Sequence, residues 1–444
     1  MQGRGENKKM KSVFKKVIVA IITWEARLLL HNQNPKIIAI TGSVGKTSTK
    51  DAIFTVISQK FNTRKSQKSF NSEIGVPLTI LGLKNAWSNP FKWLWNMKLG
   101  FWRIFFSHNY PRILVLEVGA DEPGDIKNIV KWVKPDIAVV TKLADIPAHI
   151  GKFASAEEVY EEKGRLVEAL GPGGIAILNA DDERVLKMKK KTMSKTVLFG
   201  MSGESNTVAD ILGSYPTYVY DQHERPLGIS FRIDFGGSSI PIEIIGALGE
   251  GQAYSVLAAA AVGKTLGMNA LEIAEAAKKI VTPNGRMKIL EGIKNTVIID
   301  DSYNSSPVAA ALALKTLKEI KGAGRKIAAL GDMRELGDFA ENEHKKIGKL
   351  AAQTAQILIT VGPMSRFIAE GALNQGMPEN NIFQFENSRE AGRFVQNIIQ
   401  ENDTILVKGS QNTIRMEWFV EEIMAHPELK KLLLVRQDKE WANH

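Results

Sequence analysis

The chain has 444 residues, 44% of them hydrophobic, and a formal net charge of +10, enough for two or three soluble domains with buried cores. It has no cysteine, which excludes disulfides and thiolate metal sites, and no secretory signal is evident, so a cytoplasmic setting is expected. The basic excess begins at the N-terminus, where Arg4, Lys8, Lys9, Lys11, Lys15 and Lys16 face only Glu6; such a cluster attracts anionic lipid or nucleic acid, or is a solvated tail, and no specific nucleic-acid partner is expected.

Residues 17–30, VIVAIITWEARLLL, form a short hydrophobic stretch that carries Glu25 and Arg27. It falls short of the roughly 20 apolar residues of a spanning helix, which predicts a packed or interfacial helix. Residues 36–51, KIIAITGSVGKTSTKD, run from an apolar β-type segment through a glycine loop into a helix. Gly42 and Gly45 let backbone N–H groups turn inward, Lys46 adds a cation, and the Thr47 hydroxyl can hold Mg bound to phosphates, so the segment reads as a phosphate cradle with Ser43 and Ser48 beside it. The general phosphate-loop pattern would place a glycine at position 40, which is Ile40; Gly42 stands three before Gly45 instead. In residues 87–106 the side chains Phe91, Leu94, Trp95, Trp102, Phe105 and Phe106 recur at helical spacing among Lys92, Lys98 and Arg103. This predicts an amphipathic helix, lying on a membrane surface or packed on the domain.

Apolar runs at 113–119, 136–141 and 174–182 alternate with helical stretches, which predicts a parallel, doubly wound sheet. Residues 196–245 change to short alternating runs with turn residues and read as an antiparallel appendage, followed by an alanine-rich helical segment at 253–280. VTPNGRM, 281–287, has the proline and glycine of a hinge. A second alternation follows it (TVIIDD, KIAALGD, QILITVG, TILVKGS) and ends in a polar helical tail.

Nine ordered segments then resemble one family. They are the Gly42 loop, NSEIGVPLTIL at 71–81, LEVGADEPGDI at 116–126, EEKGRLVEAL at 161–170, ILNADD at 177–182, GRM at 285–287, DDSYNSSP at 300–307, GDMRELG at 331–337 and LVKGS at 406–410. Together they resemble the Mur ligases, amide-forming enzymes of cell-wall precursor synthesis, over roughly residues 36 to 425. The resemblance implies an α/β fold: a central P-loop ATPase domain with a parallel sheet at 36–283 and a C-terminal Rossmann-like domain at 284–444, behind a basic and hydrophobic extension at 1–35. By the same resemblance ATP is held by Gly42, Ser43, Gly45, Lys46, Thr47 and Ser48, with Arg286, Asp301 and Asn304 contacting its phosphate or ribose. Mg, as two ions, is held by Thr47, Glu117, His149 and a carbamylated Lys163. Without the resemblance, a lysine in EEKGR would read as a solvated helix residue and His149 as a loop residue. Asn71 and Lys408 border the substrate, although a buried-edge lysine is also a common structural residue.

The implied reaction is ATP-dependent. A carboxylate of muramoyl-peptide type takes the γ-phosphoryl group to give an acyl phosphate and ADP, and the amine of an amino acid or a dipeptide such as D-alanyl-D-alanine displaces phosphate. The sequence also departs from the family. The residues before 36 are too few for the family's UDP-gripping domain, Gly251 and Gln252 replace a His-Asn pair near the adenine, and Gln411 stands where an arginine is usual. Gln252 could still bond adenine through its amide. A monomer is expected, with peripheral contact at the inner membrane face as a further expectation. The competing readings are a folylpolyglutamate-synthetase-like ligase, disfavoured by Thr47 and by Ser302-Tyr303-Asn304, and a nucleotide-dependent binding protein without turnover.

Overall fold

The computed structural model describes residues 2–67, 70–87, 89–107, 109–147, 149–203, 208–322, 324–411, 413–438 and 441, with side chains from residue 15 onward. The side chains of Arg4, Glu6, Lys8, Lys9 and Lys11 lie outside the described residues. Two sheets follow one another along the chain. The first joins β1 (Lys36–Thr41), β2 (Thr63–Lys65), β3 (Ile113–Glu117), β4 (Ile137–Val140), β5 (Ile175–Asn179), β6 (Lys195–Met201), β7 (Ile211–Tyr220), β8 (Pro226–Asp234) and β9 (Ser239–Ile245) in the order β2-β3-β1-β4-β5-β6-β7-β8-β9. The strands β1, β3 and β4 are buried almost throughout, as their continuous apolar runs require of interior parallel strands. Because β1 lies between β3 and β4, the loops leaving all three meet at one edge, where doubly wound sheets hold ligands.

The segment at 196–245 is not a separate antiparallel appendage. The strand β6 pairs in parallel with β5, and β7 in parallel with β6; only β8 and β9 run antiparallel, in continuation of the same sheet. Leu198, Phe199 and Met201 give β6 the buried run of an interior strand, whereas β9 alternates exposed and buried positions as a half-solvated strand does.

One face of this sheet is covered by α1 (Gln2–Gln33), α3 (Gly75–Leu81), α4 (Pro90–Phe106), α5 (Asp125–Val130) and α6 (Ala156–Glu168), the other by α2 (Lys46–Ile57) and the helices Glu250–Thr265 and Ala270–Ala277. The N-terminal stretch therefore packs as part of the first core. In α1, Ile18, Ile22, Ala26 and Leu29 are buried at helical spacing against α3 and α4. Among the described residues no helix is long and apolar enough to cross a membrane.

One buried polar group in this helix pair has a thermodynamic consequence. Glu25 is 2% exposed, its Oε2 lacks a hydrogen-bond partner among the described residues, and burial pushes its carboxyl up from 4.5 to about 7. A carboxyl raised on folding contributes stability that is complete below pH 4.5 and lost as pH rises through about 7. Glu25→Gln should therefore gain on the native protein between pH 5 and 8, by up to about 3 kcal/mol, measured as the difference in denaturant unfolding free energy. A difference that stays flat across that range contradicts this account.

The second sheet contains β10 (Lys288–Glu291), β11 (Val297–Asp301), β12 (Lys326–Gly331), β13 (Ile357–Val361), β14 (Ile382–Phe385) and β15 (Thr404–Lys408) in the order β10-β11-β15-β12-β13-β14, parallel except for β10. Helices cover both of its faces. The junction is tied by backbone bonds from Leu248 N to Met287 O (3.0 Å) and from Ile289 N to Gly246 O (2.9 Å). At the junction Gly285 has φ 66°, and a Cβ there would lie 2.9 Å from the Tyr303 nitrogen, so a side chain would be strained twice over.

Candidate active site

At the end of β1 the chain turns through Gly42, whose φ is 146° and whose absent Cβ would fall 2.0 Å from Thr141 Oγ1. The loop is pinned to the strand end beside it. Ser43 N donates to Lys142 O (2.7 Å) and Thr141 Oγ1 to Val44 O (2.7 Å). Gly45, at φ 84°, delivers the chain into α2, whose first-turn N–H groups have no helical acceptors. Lys46 folds back to donate to Gly42 O (2.8 Å), and loss of water lowers the affinity of its amine for a proton, opposed by nearby Glu117. Ser43 Oγ is buried without a partner among the described residues. An orphan hydroxyl in a pinned glycine loop fits a phosphate oxygen as its missing partner.

Glu117 closes β3 beside this loop and is 1% exposed. Thr47 Oγ1 donates to its Oε2 (3.1 Å), Lys50 Nζ lies 3.8 Å from the same oxygen, and Asn71 Nδ2 donates to Oε1 (3.4 Å). Lys163 lies on α6, which Ser155 caps by accepting from Glu158 N (3.2 Å). It is 3% exposed; desolvation first, and the Lys46 charge second, lower its amine to about 7. His149 sits at φ 68°, with Nε2 3.3 Å from Asp121 Oδ1 and Nδ1 2.5 Å from Glu335 Oε2. The Glu335 contact is close but not aligned as a hydrogen bond.

The second domain completes the cleft. Arg286 reaches across to Thr47 Oγ1 (3.5 Å) and lies over the Tyr303 ring, 4.1 Å from its centroid. Lys408 is 2% exposed and donates to Asp301 Oδ2 (2.6 Å) and Asn304 O (2.8 Å). These contacts hold the turn after β11, and Gln411 N adds a bond to Asn304 Oδ1 (3.3 Å). Between the domains lies a cavity of about 770 Å³ lined by Lys46, Thr47, Asn71, Glu117, His149, Lys163 and Arg286. A smaller one of about 110 Å³ is lined by Ser48, Gln252, Arg286, Asp301 and Lys408.

A phosphate loop, an acidic strand end and an arginine from a second sheet domain point to a nucleotide-using enzyme of two halves. Two family comparisons agree with that division. The Mur ligase middle domain matches residues 40–263, and the Mur ligase glutamate ligase domain matches residues 285–411. The chain belongs to the Mur ligase family. It is 27% identical over 403 residues, 90% of its own length and 79% of the other's, to the UDP-N-acetylmuramoyl-tripeptide–D-alanyl-D-alanine ligase of Bacillus subtilis. Its fold is similar to that of MurF from Acinetobacter baumannii, with TM-score 0.74, 23% identity, and 91% and 79% of the two chains covered. The MurF ligase of Thermotoga maritima, solved in complex with ADP, gives 0.72 at 23% identity, covering 91% and 83%. As a Mur ligase the chain is an ATP-dependent, amide-forming enzyme of the peptidoglycan-precursor type.

In this Mur ligase the residues singled out by sequence line one or both of the two cavities, except Gly42, which lines neither. Gly45 and Arg286 line both, Ser48, Gln252, Asp301 and Lys408 only the smaller, and Asn304 only the larger. Gln252 and Lys408, like Lys46, Thr47 and Asn71, are engaged with the protein itself. The Gln252 amide donates to Arg286 O (3.1 Å) and its oxygen accepts from Thr282 Oγ1 (3.4 Å), so this side chain clamps the hinge. Lys408, off the large cavity, is bound to Asp301 in a buried pair.

Several residues of the cleft escaped the sequence reading. Lys50 follows Lys46 by one helical turn on α2 and so faces Glu117 from the same side; the i, i+4 spacing was a usable signal. Asp121 and Glu335, which flank His149 from the two domains, stand in the family segments 116–126 and 331–337, but nothing local pairs either of them with that histidine. The C-terminal segment, polar in its composition, is more than a tail. It buries Leu434, Val435 and Arg436 along the cleft wall, with Arg436 donating to Glu417 (2.8 Å) and to Tyr303 O. Trp441 then meets Trp87 of the central domain edge-on at 6.2 Å.

Proposed function

We propose that this Mur ligase joins the carboxylate of a muramoyl peptide to the amine of D-alanyl-D-alanine or a similar dipeptide, with ATP converted to ADP and phosphate. The observation that carries this reading is Arg286. From the second domain it reaches Thr47 of the phosphate loop across a cavity that also holds Glu117 and Lys163, so one cleft joins a nucleotide-binding loop to room for a carboxylate. Ser43, the loop N–H groups and Lys46 receive the phosphates, and Arg286 balances charge on the transferring group. Asn71 fixes the orientation of Glu117. When bound, Mg supplies charge neutralisation and aligns the phosphoryl group with the attacking carboxylate. Thr47 and Glu117, already in contact, are suited to hold one ion, and a carbamate on Lys163 with His149 the other. No protein nucleophile is needed, because the donor carboxylate attacks the phosphoryl group and the acceptor amine then displaces phosphate. Membrane contact does not involve these cleft residues; it concerns the outer face of α1 and α4.

The deciding experiment measures ADP release by the purified protein with ATP, a UDP-linked muramoyl tripeptide and D-alanyl-D-alanine. Release that requires both donor and dipeptide, with mass-spectrometric detection of the joined product, is expected. Release with a folate and glutamate instead would favour the folylpolyglutamate reading, and binding of ATP without release the non-catalytic one.

A further inference from the structure

The helix α4 carries two opposed faces. Trp93, Asn96, Gly100 and Ile104 are buried, and Gly100 lets α1 approach so closely that a Cβ there would lie 2.1 Å from Glu25 Oε2. The inward face is thus satisfied by the protein. The outward face is not: Phe91, Leu94, Trp95, Phe101, Trp102 and Phe105 are between 51% and 80% exposed. Phe106 stacks on Trp102 at 4.1 Å, and Val17 and Trp24, each 51% exposed, lie on α1, which packs against α4. Scattered exposed apolar residues are ordinary, but a continuous aromatic face marks a contact surface.

Charge identifies what it contacts. The stretch 90–106 contains Lys92, Lys98 and Arg103 and no acidic residue. Lys92 and Lys98 are exposed, and Lys98 Nζ lies 5.7 Å from the centre of the Trp95 ring. On α1 Lys15 and Lys16 are exposed, while Glu25 is buried; the nearby Glu73 is engaged by Lys15 at 2.9 Å. A second copy of this face would bring lysine against lysine with no acid to pair them. Tryptophan and phenylalanine between lysines match the boundary of a bilayer with negative headgroups, where rings enter the acyl edge and ammonium groups meet phosphates. A helix of 17 residues lies flat over roughly 25 Å of that boundary.

We propose that the outer face of α1 and α4 docks this protein on the surface of an anionic bilayer. Docking would place the cleft close to the membrane, because Trp87 both lines the large cavity and bonds the start of α4, its carbonyl accepting from Trp93 Nε1 (2.9 Å).

The test is flotation of the full chain with vesicles of phosphatidylcholine alone and with phosphatidylglycerol added, alongside the double variant Trp95→Glu/Trp102→Glu. Both substituted side chains are exposed, so the variant is expected to keep the native melting transition and its turnover of soluble substrates. The native protein should float with the anionic vesicles, and the variant should partition at least about tenfold less. Three results overturn the proposal: the native protein staying unbound at low salt, native and variant floating equally so that the basic tail alone explains binding, or a dimer in sedimentation that the variant dissolves.

Discussion

Lys46→Ala is expected to lower ATP turnover by about 10³-fold or more, since removing a preorganised cation from a transferring phosphoryl group costs transition-state stabilisation directly. The fold should survive. Lys46 occupies the first turn of α2, its amine donates to a loop carbonyl, Gly42 O, as its hydrogen bond among the described residues, and it belongs to none of the apolar cores. The check pairs ADP release with a thermal melt. A folded variant at native turnover would remove the phosphate-loop assignment, whereas a lost melt would mean that the lysine carries structure.

Lys163→Ala should lose at least about 100-fold in activity, and short carboxylic acids should restore part of it. The lysine is buried in the cavity wall, and its amine is held near 7, so a neutral nitrogen is available to add carbon dioxide. The addition forms an N–C bond and releases one proton, giving an anionic carbamate where an ammonium would repel a metal ion. Acetate or propionate in the variant supplies equivalent oxygens. A purely structural role predicts a different pattern: the lost side chain would lower the melting point, and added acid would restore nothing. Native turnover without acid would exclude the carbamate.

What the sequence made legible was local chemistry and its order. The glycine loop, the acid at the end of β3 and the two alternations of strand and helix are written in adjacent residues. Arg286 could be assigned to the nucleotide only through the family likeness; what the fold adds is its contact with Thr47. Side-chain commitments were harder to read. Gln252 and Lys408 have the right types for ligand contact, yet hinge backbone and Asp301 occupy their polar atoms, and only three dimensions reveal such competition. In the segment at 196–245 the turn residues gave the two antiparallel pairs β7-β8 and β8-β9, but not the parallel pairing of β6, because pairing partners depend on which strands are already buried. In α4 the aromatic periodicity gave the helix and the stripe that carries its rings, all of them exposed except Trp93, but spacing alone does not say whether such a stripe packs on the domain or faces outward. Residues 434–438 and Trp441 join the cleft from far along the chain, a relation that no local pattern encodes.

The placement of the aromatic residues also determines how this molecule would look to a spectrometer. Of its eight tryptophans, Trp24, Trp95 and Trp102 stand in water on one face, with Trp93 beneath them and Trp87 beside them at the cleft mouth. Emission from the native chain is therefore weighted toward that single surface and should be red-shifted as that of solvent-bathed indoles is. Movements of the second domain, which contains only Trp418 and Trp441, would register chiefly where Trp441 leans on Trp87.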